Sequence, residues 1–389
     1  MNRSILTRSA PALMLALAFA LSAIGQAPVA PDLRAAIEQV DALAAAEYAK
    51  DNRGSVIIGI VSGAELVWTK SYGYADMEKK APATKDTVYR IGSITKQFTG
   101  LMLLQLVEAG KAHLSDPVEK YFPEVNKVEG RFAGALPITL VQLATHTSGL
   151  GREPADLQTY LKGPVSEWEK VMIAALPHTK YDFEPGVRFS YSNIGYAILG
   201  ATLSRAAGQS YTEYVSQKIF APLGMTHTAF EPNEKIKPHL AKGYGVEGSR
   251  VDAETPEREH QGRGYKVPNG AMYTTVGDLA RFLSFELGYG PESVLKKVTL
   301  DDNFKRVNSA NGDLTSGYGI GFQAERHGSL IAYGHGGSVA GYLAGAFVDR
   351  ASGVGVIVLR NVGGGPFNIS GLVERALETL AASRRGSKP

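Results

Sequence analysis

Apolar residues along this chain follow two spacings, one typical of strands and one typical of helices. Runs rich in β-branched residues occur near the start and near the end, and a long helix-like stretch separates them. The predicted strands span 55–61, 65–72, 317–324, 329–333, 341–348 and 354–359. The clearer predicted helices span 33–50, 94–109, 194–207, 211–220, 276–285 and 368–382. The pattern therefore predicts one antiparallel sheet assembled from both ends of the chain.

The helix predicted at 94–109 is apolar on several faces, which is typical of a buried helix. Ser93 and Lys96 lie three positions apart at its start, so their side chains can meet on one face. Serine is a weak nucleophile that a neutral lysine can activate. Burial and the positive end of the helix dipole would both lower the pKa of that lysine. The same Ser-x-x-Lys spacing recurs at 293–296, where nothing around it suggests chemistry, so the motif needs support from elsewhere.

Two further motifs give that support. Tyr-Ser-Asn at 191–193 is the only Tyr-x-Asn in the chain, and Gly-His-Gly-Gly-Ser at 334–338 ends a strand-like run. In this order, Ser-x-x-Lys, Tyr-x-Asn and a late Lys/His-x-Gly resemble the penicillin-recognising serine hydrolases. That group includes class C β-lactamases, DD-peptidases of the same fold and related esterases. Flanking segments such as 143–150 and 185–193 resemble the class C-like branch.

The resemblance implies an α+β fold of the β-lactamase/transpeptidase type, with helices flanking the antiparallel sheet and a mainly helical second lobe. It places a single serine hydrolase domain over residues 30–382. The sheet lobe would comprise about 30–110 and 300–382, and the helical lobe about 111–299. The active site would lie between the two lobes.

The resemblance also implies roles for four side chains. Ser93 would be the acyl-accepting nucleophile, with Lys96 as its proton partner. Tyr191 would be a second acid/base group, provided that nearby cations stabilise its phenolate or relay its proton. Asn193 would bridge Lys96 and the substrate carbonyl. An acyl-enzyme mechanism follows from these four roles.

The late strand would complete the site and also departs from the family's pattern. The backbone N–H groups of Ser93 and Ser338 would bind the oxyanion, and Gly336 and Gly337 would allow close backbone approach. His335 stands where β-lactamases of this type carry lysine, although some DD-peptidases and esterases carry histidine. Gly336 replaces the Thr or Ser whose hydroxyl helps to hold a substrate carboxylate. We therefore expect a weak anchor for a β-lactam or D-alanyl carboxylate, which favours an ester or an amide without a terminal carboxylate.

Two other segments carry weaker expectations. His146, within the Thr-His-Thr-Ser-Gly sequence, is interpreted as a structural residue near the junction of the lobes. The polar, charged segment 246–266 is predicted to be an exposed loop near the cleft.

Composition narrows the possible chemistry. The chain has no cysteine, which excludes disulfides, thiolate metal sites and a cysteine nucleophile. Its formal net charge is only +3 and its basic residues are scattered, so we do not expect a nucleic-acid partner. The eight histidines are dispersed and His-Glu-x-x-His is absent, so no metal or other cofactor is expected. The expected partner is a small-molecule or peptide-like acyl substrate, and the oligomeric state is left open.

Residues 1–25 have the pattern of a secretory signal peptide. Arg3 and Arg8 precede an apolar run at 12–23, and small residues follow, with a plausible cleavage point after Gly25. About 12 apolar residues are too few for a membrane span, which needs roughly 20. We therefore expect an exported bacterial protein, periplasmic or secreted, with no membrane span after signal removal.

The residues also bear on other functions. An α/β-hydrolase needs a histidine after its nucleophilic serine, and none follows His335, so Ser338 is not predicted to be such a nucleophile. A non-catalytic module that binds or senses cell-wall peptides is the alternative outside the enzymes. Among enzymes, esterase-like activity is favoured over a DD-peptidase or D-aminopeptidase, and over a β-lactamase.

Overall fold

The structure, a computed structural model, describes residues 31–386 with the exception of 311, 313 and 314. The predicted signal peptide at 1–25 lies outside the described residues. Among the residues that are described, no helix is both long enough and apolar enough to cross a membrane.

Fourteen strands and twelve α-helices lie within the described residues. The strands are β1 (Ser55–Ser62), β2 (Glu65–Asp76), β3 (Ala81–Pro82), β4 (Tyr89–Arg90), β5 (Tyr244–Glu247), β6 (Arg250–Asp252), β7 (Tyr273–Thr274), β8 (Asn308–Ser309), β9 (Ser316–Tyr318), β10 (Gln323–His327), β11 (Leu330–Val339), β12 (Tyr342–Asp349), β13 (Val354–Arg360) and β14 (Val362–Gly363). The helices are α1 (Pro31–Lys50), α2 (Thr95–Glu108), α3 (Leu140–Ala144), α4 (Trp168–Ala175), α5 (Asn193–Ala207), α6 (Tyr211–Val215), α7 (Ala221–Leu223), α8 (Glu254–Arg258), α9 (Val267–Gly270), α10 (Val276–Ser284), α11 (Lys297–Lys305) and α12 (Ile369–Gly386).

The main sheet joins the two ends of the chain, as predicted. Its nine strands follow the order β3-β2-β1-β13-β12-β11-β10-β9-β8, with antiparallel neighbours throughout. The pairing of β1 with β13, in which Val56 lies opposite Arg360, connects the N-terminal strands to the C-terminal ones. Two small sheets, β14-β5-β6 and β4-β7, lie outside it.

Both faces of the central strands are buried, which explains their continuous apolar runs. In β1, Val56, Ile58 and Ile60 pack into the core formed with α1 and α12. The alternate residues Ile57 and Val61 pack into a second, larger core with the helices of the opposite face. That second core includes α2 and α5, so the helix predicted at 94–109 is buried as expected.

Two predicted elements are wrong. The segment 317–324 is not one strand but the end of β9, a reversal and the start of β10. Gly321 has a φ of 88°, and a Cβ there would lie 2.7 Å from the carbonyl oxygen of Lys96. The chain therefore turns at Gly321, where only glycine lets the backbone pack directly against α2.

The second error concerns 246–266, which is not simply an exposed loop. It contains part of the β5–β6 hairpin and α8, and Tyr265 near its end is fully buried. The stretch 247–251 is exposed as expected, whereas Arg263 and Lys266 near the other end are held by ion pairs with Glu259 and Glu153.

Candidate active site

The turn that carries Ser93 is a single 3-10 turn, Gly92–Ile94, which leads directly into α2. Gly92 has a φ of 50°, and a Cβ there would lie 2.9 Å from both the N and the O of Ser338. A Cβ on Gly337 would lie 2.0 Å from the carbonyl oxygen of Ile91. Glycine at both positions lets the nucleophile turn pack against β11, beside the backbone of Ser338.

The side chain of Lys96 is completely buried and reaches three oxygen atoms. Its Nζ lies 3.1 Å from Ser93 Oγ, 2.8 Å from Asn193 Oδ1 and 3.1 Å from the carbonyl oxygen of Asn269. A neutral amine has two N–H groups and one lone pair. It can donate to the two asparagine oxygens, and its lone pair is then available to accept the Ser93 proton.

Electrostatics favour that neutral amine. Burial is the largest cause that lowers the pKa of Lys96 well below its usual value, and the nearby cations Lys266, Arg152 and Arg263 lower it further. Glu153 opposes this shift without reversing it. Ser93 therefore sits beside a lysine that is prepared to act as a base.

Tyr191 lies between the amine of Lys96 and the guanidinium of Arg152. Its ring centroid is 4.8 Å from Lys96 Nζ and 4.9 Å from Arg152 Cζ. Burial raises the pKa of Tyr191 to about 12, although Ser93 and Arg152 act in the opposite direction. The phenol is therefore protonated at neutral pH and can serve as a proton donor.

His146 holds this segment in place, which agrees with its predicted structural role. Its ring lies 4.2 Å from that of Tyr191, centroid to centroid, and its Nδ1 accepts a 3.0 Å hydrogen bond from the backbone N–H of Ser192. Burial lowers the pKa of His146 well below its usual value, and Lys96 adds to that effect. The neutral imidazole can therefore accept this bond.

Asn193 begins α5, but Ser192 supplies the helix cap. The hydroxyl of Ser192 accepts from Gly195 N at 3.0 Å, so the Asn193 side chain is not used as a cap. Its Nδ2 instead donates to Glu153 Oε1 at 2.8 Å, while its Oδ1 accepts from Lys96. Asn193 therefore links Lys96 to Glu153 in one network.

Sequence reasoning missed several residues of this network. Glu153 forms a 2.8 Å ion pair with Lys266 and accepts a hydrogen bond from Tyr265. Asn269 donates through Nδ2 to the backbone oxygen of Asn193 at 2.8 Å. No motif marks these residues in one sequence, because their partners lie far along the chain and meet only in the fold.

His335 is nearly inaccessible, with 2% of its surface exposed. Its Nδ1 donates to the carbonyl oxygen of Gly336, and its Nε2 accepts from the Tyr318 hydroxyl at 2.9 Å. Burial, reinforced by Lys96, lowers the pKa of His335 to about 3, against the opposing effect of the Gly336 carbonyl. The imidazole of His335 is therefore neutral at pH 7 and offers no positive charge where the β-lactamases carry lysine.

The neighbouring glycines have different environments. A Cβ on Gly336 would meet only Gln323 Oε1, at 3.8 Å, so a side chain would fit there. Its N–H donates to that same oxygen at 2.9 Å. Gly337 has no such space, because Ile91 lies against it. The hydroxyl that the resemblance leads one to expect at 336 is absent for reasons other than space.

The predicted residues meet in one cleft of about 820 Å³. Its lining includes Ser93, Tyr191, Asn193 and the segment 335–338. Lys96 lies beneath Ser93. A serine hydroxyl, a neutral amine, a phenol and two nearby backbone amides form a set of groups that can perform acyl transfer.

Among the described residues, one cluster has ligand atoms close enough to share a metal ion, namely His327, Glu374 and Glu378. His327 Nδ1 and Glu374 Oε1 already form a 2.8 Å pair, and Glu378 is exposed. This pair explains the arrangement without an ion.

The fold and the arrangement of this site are those of a family of serine hydrolases, and the chain belongs to the Beta-lactamase family. A model of that family matches residues 34–379. Family members with this fold are serine hydrolases. The predicted fold class and the family resemblance are both confirmed.

Individual relatives have low sequence identity to this chain. The chain is 32% identical over 317 residues to "Beta-lactamase-like protein 2" of Dictyostelium discoideum, covering 80% of this chain and 57% of the relative. It is 29% identical over 329 residues to "Protein flp" of Staphylococcus aureus, covering 84% of this chain and 63% of the relative. The chain thus spans about three fifths of the length of these relatives.

Solved structures show the same architecture over nearly the whole chain. The octameric penicillin-binding protein homologue from Pyrococcus abyssi has a TM-score of 0.76 and 28% identity, covering 89% of this chain and 77% of its own. D-amino acid amidase from Ochrobactrum anthropi SV3 has a TM-score of 0.74 and 25% identity, covering 91% and 99%. A class C β-lactamase, at 19% identity and a TM-score of 0.72 with 92% and 98% covered, shares the fold.

Proposed function

We propose that this protein hydrolyses esters through an acyl-enzyme on Ser93. The observation that carries the proposal is the buried Lys96 amine, 3.1 Å from Ser93 Oγ and hydrogen-bonded to two asparagine oxygens. That arrangement removes the serine proton without requiring a metal or another cofactor.

The reaction would proceed in two balanced halves. Lys96 accepts the Ser93 proton as Oγ attacks the carbonyl carbon, and the oxyanion forms at the N–H groups of Ser93 and Ser338. Collapse breaks the bond to the leaving alcohol, which takes up a proton from Tyr191. The proton on Lys96 then returns to Tyr191, and the acyl group remains on Ser93.

The second half repeats this chemistry with water. Water attacks the acyl carbon and gives its proton to Lys96, and collapse of the tetrahedral species breaks the bond to Ser93 Oγ. That oxygen recovers the proton, and the acid product leaves. Tyr191 keeps its own proton in the resting state because its pKa is raised to about 12.

The preference for esters rests on the late strand. His335 is neutral and engaged at both ring nitrogens, and Gly336 has no hydroxyl. A carboxylate on the leaving side of a β-lactam or D-alanyl substrate would meet neither a cation nor a hydroxyl there. We therefore expect weak activity on such substrates.

A second candidate is an amide that lacks a terminal carboxylate. It is supported by the similarity to D-amino acid amidase, of which the match covers 99%. An amino-acid amide would place no anion beside His335, so this substrate also agrees with the neutral strand. The neutral β11 strand gives less support to a cell-wall peptide hydrolase, a β-lactamase or a non-catalytic binding module. Export through residues 1–25, to the periplasm or medium, is part of the proposal.

The test compares kcat/KM for 4-nitrophenyl butyrate, phenylalanine amide and a chromogenic cephalosporin, in the native protein and in Ser93→Ala. Ser293→Ala is a matched control, because it removes an exposed serine with the same Ser-x-x-Lys spacing. We expect the ester to be the best substrate, Ser93→Ala to abolish its turnover, and Ser293→Ala to behave as the native protein. Cephalosporin turnover at equal or higher efficiency would overturn the ester preference. Turnover that survives Ser93→Ala would overturn the whole mechanism.

A further inference from the structure

Arg152 presents a free guanidinium to the cleft. Its side chain is exposed, lines the same cleft as Ser93, and stacks on Tyr191 with Cζ 4.9 Å from the ring centroid. Within the part of the chain that the structure describes, no carboxylate pairs with it. One face of the group is therefore occupied by an aromatic ring, and its N–H edges are left to solvent or to a ligand.

The other cations near Lys96 each form an ion pair. Lys266 pairs with Glu153 at 2.8 Å, and Arg263 pairs with Glu259 at 3.1 Å. Arg152 thus brings an uncompensated positive charge to the cleft. The two other carboxylates that line the cleft, Glu325 and Glu374, lie beside His327, so the positive charge is local to Arg152 and favours an anionic group there.

The backbone of Arg152 is fixed to the start of α5. Its carbonyl oxygen accepts from Asn193 N at 2.9 Å, which ties it to the start of α5. The guanidinium position is therefore set by two contacts, one to Tyr191 through the side chain and one to Asn193 through the backbone. A planar guanidinium held in this way can bind a carboxylate through two parallel hydrogen bonds.

We propose that Arg152 binds a carboxylate carried on the acyl part of the substrate. This inference rests on the proposed function and adds a substrate class to it, namely half-esters of dicarboxylic acids and acyl donors with an acidic side chain. A β-lactam or D-alanyl carboxylate lies on the leaving side of the scissile bond, which the neutral β11 wall would face. Because the backbone of Arg152 is hydrogen-bonded to Asn193, the residue expected to contact the substrate carbonyl, we place its guanidinium on the acyl side.

The test uses two esters with the same leaving group and the same acyl length, mono-4-nitrophenyl adipate and 4-nitrophenyl hexanoate. They differ in one terminal carboxylate. The variants are Arg152→Gln, which removes the charge, and Arg152→Lys, which keeps it without the planar fork. Arg188→Gln is the matched control, because Arg188 is also exposed and stacked on a ring, 4.3 Å from Phe183, but lies outside the cleft.

We expect the native protein to prefer the adipate ester, and Arg152→Gln to reduce the adipate-to-hexanoate ratio of kcat/KM about tenfold, mainly through KM. Arg152→Lys should retain part of the ratio, and Arg188→Gln should leave it unchanged. The preference should weaken as salt is raised.

Two results would overturn the inference. One is a native protein with no preference for the adipate ester. The other is an equal loss on both esters in Arg152→Gln with a changed pH profile, which would mean that Arg152 acts only through Tyr191. If neither ester were hydrolysed, or if hydrolysis survived Ser93→Ala, the failure would lie in the proposed function.

Discussion

Replacing Gly337 with alanine should disable the site while leaving the protein folded. The added Cβ would lie 2.0 Å from the carbonyl oxygen of Ile91 and 2.9 Å from its carbonyl carbon. Cβ contacts under 3.0 Å essentially do not occur, so the backbone must move by about 1 Å. Ile91 immediately precedes the turn that carries Ser93, and Ser338 immediately follows Gly337. The movement therefore separates the nucleophile from one of its two expected oxyanion donors.

The size of the effect follows from that displacement. A 1 Å misplacement of reacting groups can cost about 10²-fold, and loss of one oxyanion donor costs about 10² to 10³-fold. We expect kcat for 4-nitrophenyl butyrate to fall at least about 100-fold, with a smaller change in KM. Overpacking of this kind costs about 1–3 kcal/mol of stability, which a folded domain of this size can tolerate.

Gly336→Ala is the comparison, because a Cβ there would meet only Gln323 Oε1 at 3.8 Å. Both variants would be assayed for kcat and KM after circular dichroism and thermal melting confirm that they are folded. Gly336→Ala should lose far less activity than Gly337→Ala. A folded Gly337→Ala with near-native kcat, or equal losses in the two variants, would refute the argument from close packing.

Three further predictions concern the buried Glu286, the Glu153 network and the β11 strand. Burial raises the pKa of Glu286 to about 8, so the folded protein holds this proton and loses stability as the pH rises from about 4.5 to 8. Glu286→Gln should remove this loss of several kcal/mol in the free energy of unfolding, measured by urea titration at pH 5 and pH 9. An equal pH dependence of stability in both proteins would contradict the prediction. Glu153 raises the pKa of Lys96, so Glu153→Gln should lower that pKa and move the acid limb of the kcat/KM profile to lower pH. A move to higher pH would be inconsistent with Lys96 as the general base. The double change His335→Lys with Gly336→Thr should raise the cephalosporin-to-ester ratio of kcat/KM about tenfold, and an unchanged ratio would show that this wall does not select the substrate.

Much of the fold could be predicted because strand and helix periods are local properties. The runs at 56–61 and 354–359 contain no polar side chain, which indicates strands buried on both faces, and they do pair with each other. The strand predicted at 329–333 is longer in the structure and continues to Val339. Glycines at 334, 336 and 337 weaken the strand pattern, although the residues continue the ladder with β12.

The site could be predicted only where a motif marks it. Ser93, Lys96 and Asn193 meet as their spacing and order suggested, although one sequence could not give the distances between them. The network around Glu153 could not be predicted, because its partner Lys266 is more than a hundred residues away and lies in a segment whose polarity suggested exposure. Long-range ion pairs leave no periodic signal in the sequence.

The boundaries of the two lobes, and the catalytic roles of the motif residues, remain predictions. The structure gives the distances on which those roles depend, and experiment must supply the reaction. The decisive species is the covalent intermediate on Ser93.

That intermediate can be measured directly by mixing the protein with 4-nitrophenyl butyrate, quenching in acid within the first turnovers, and recording the intact mass. The acyl-enzyme mechanism predicts an increment of one butyryl group, located by peptide mapping on Ser93 and absent from Ser93→Ala. A butyryl group on another residue, or full ester turnover by Ser93→Ala, would contradict it.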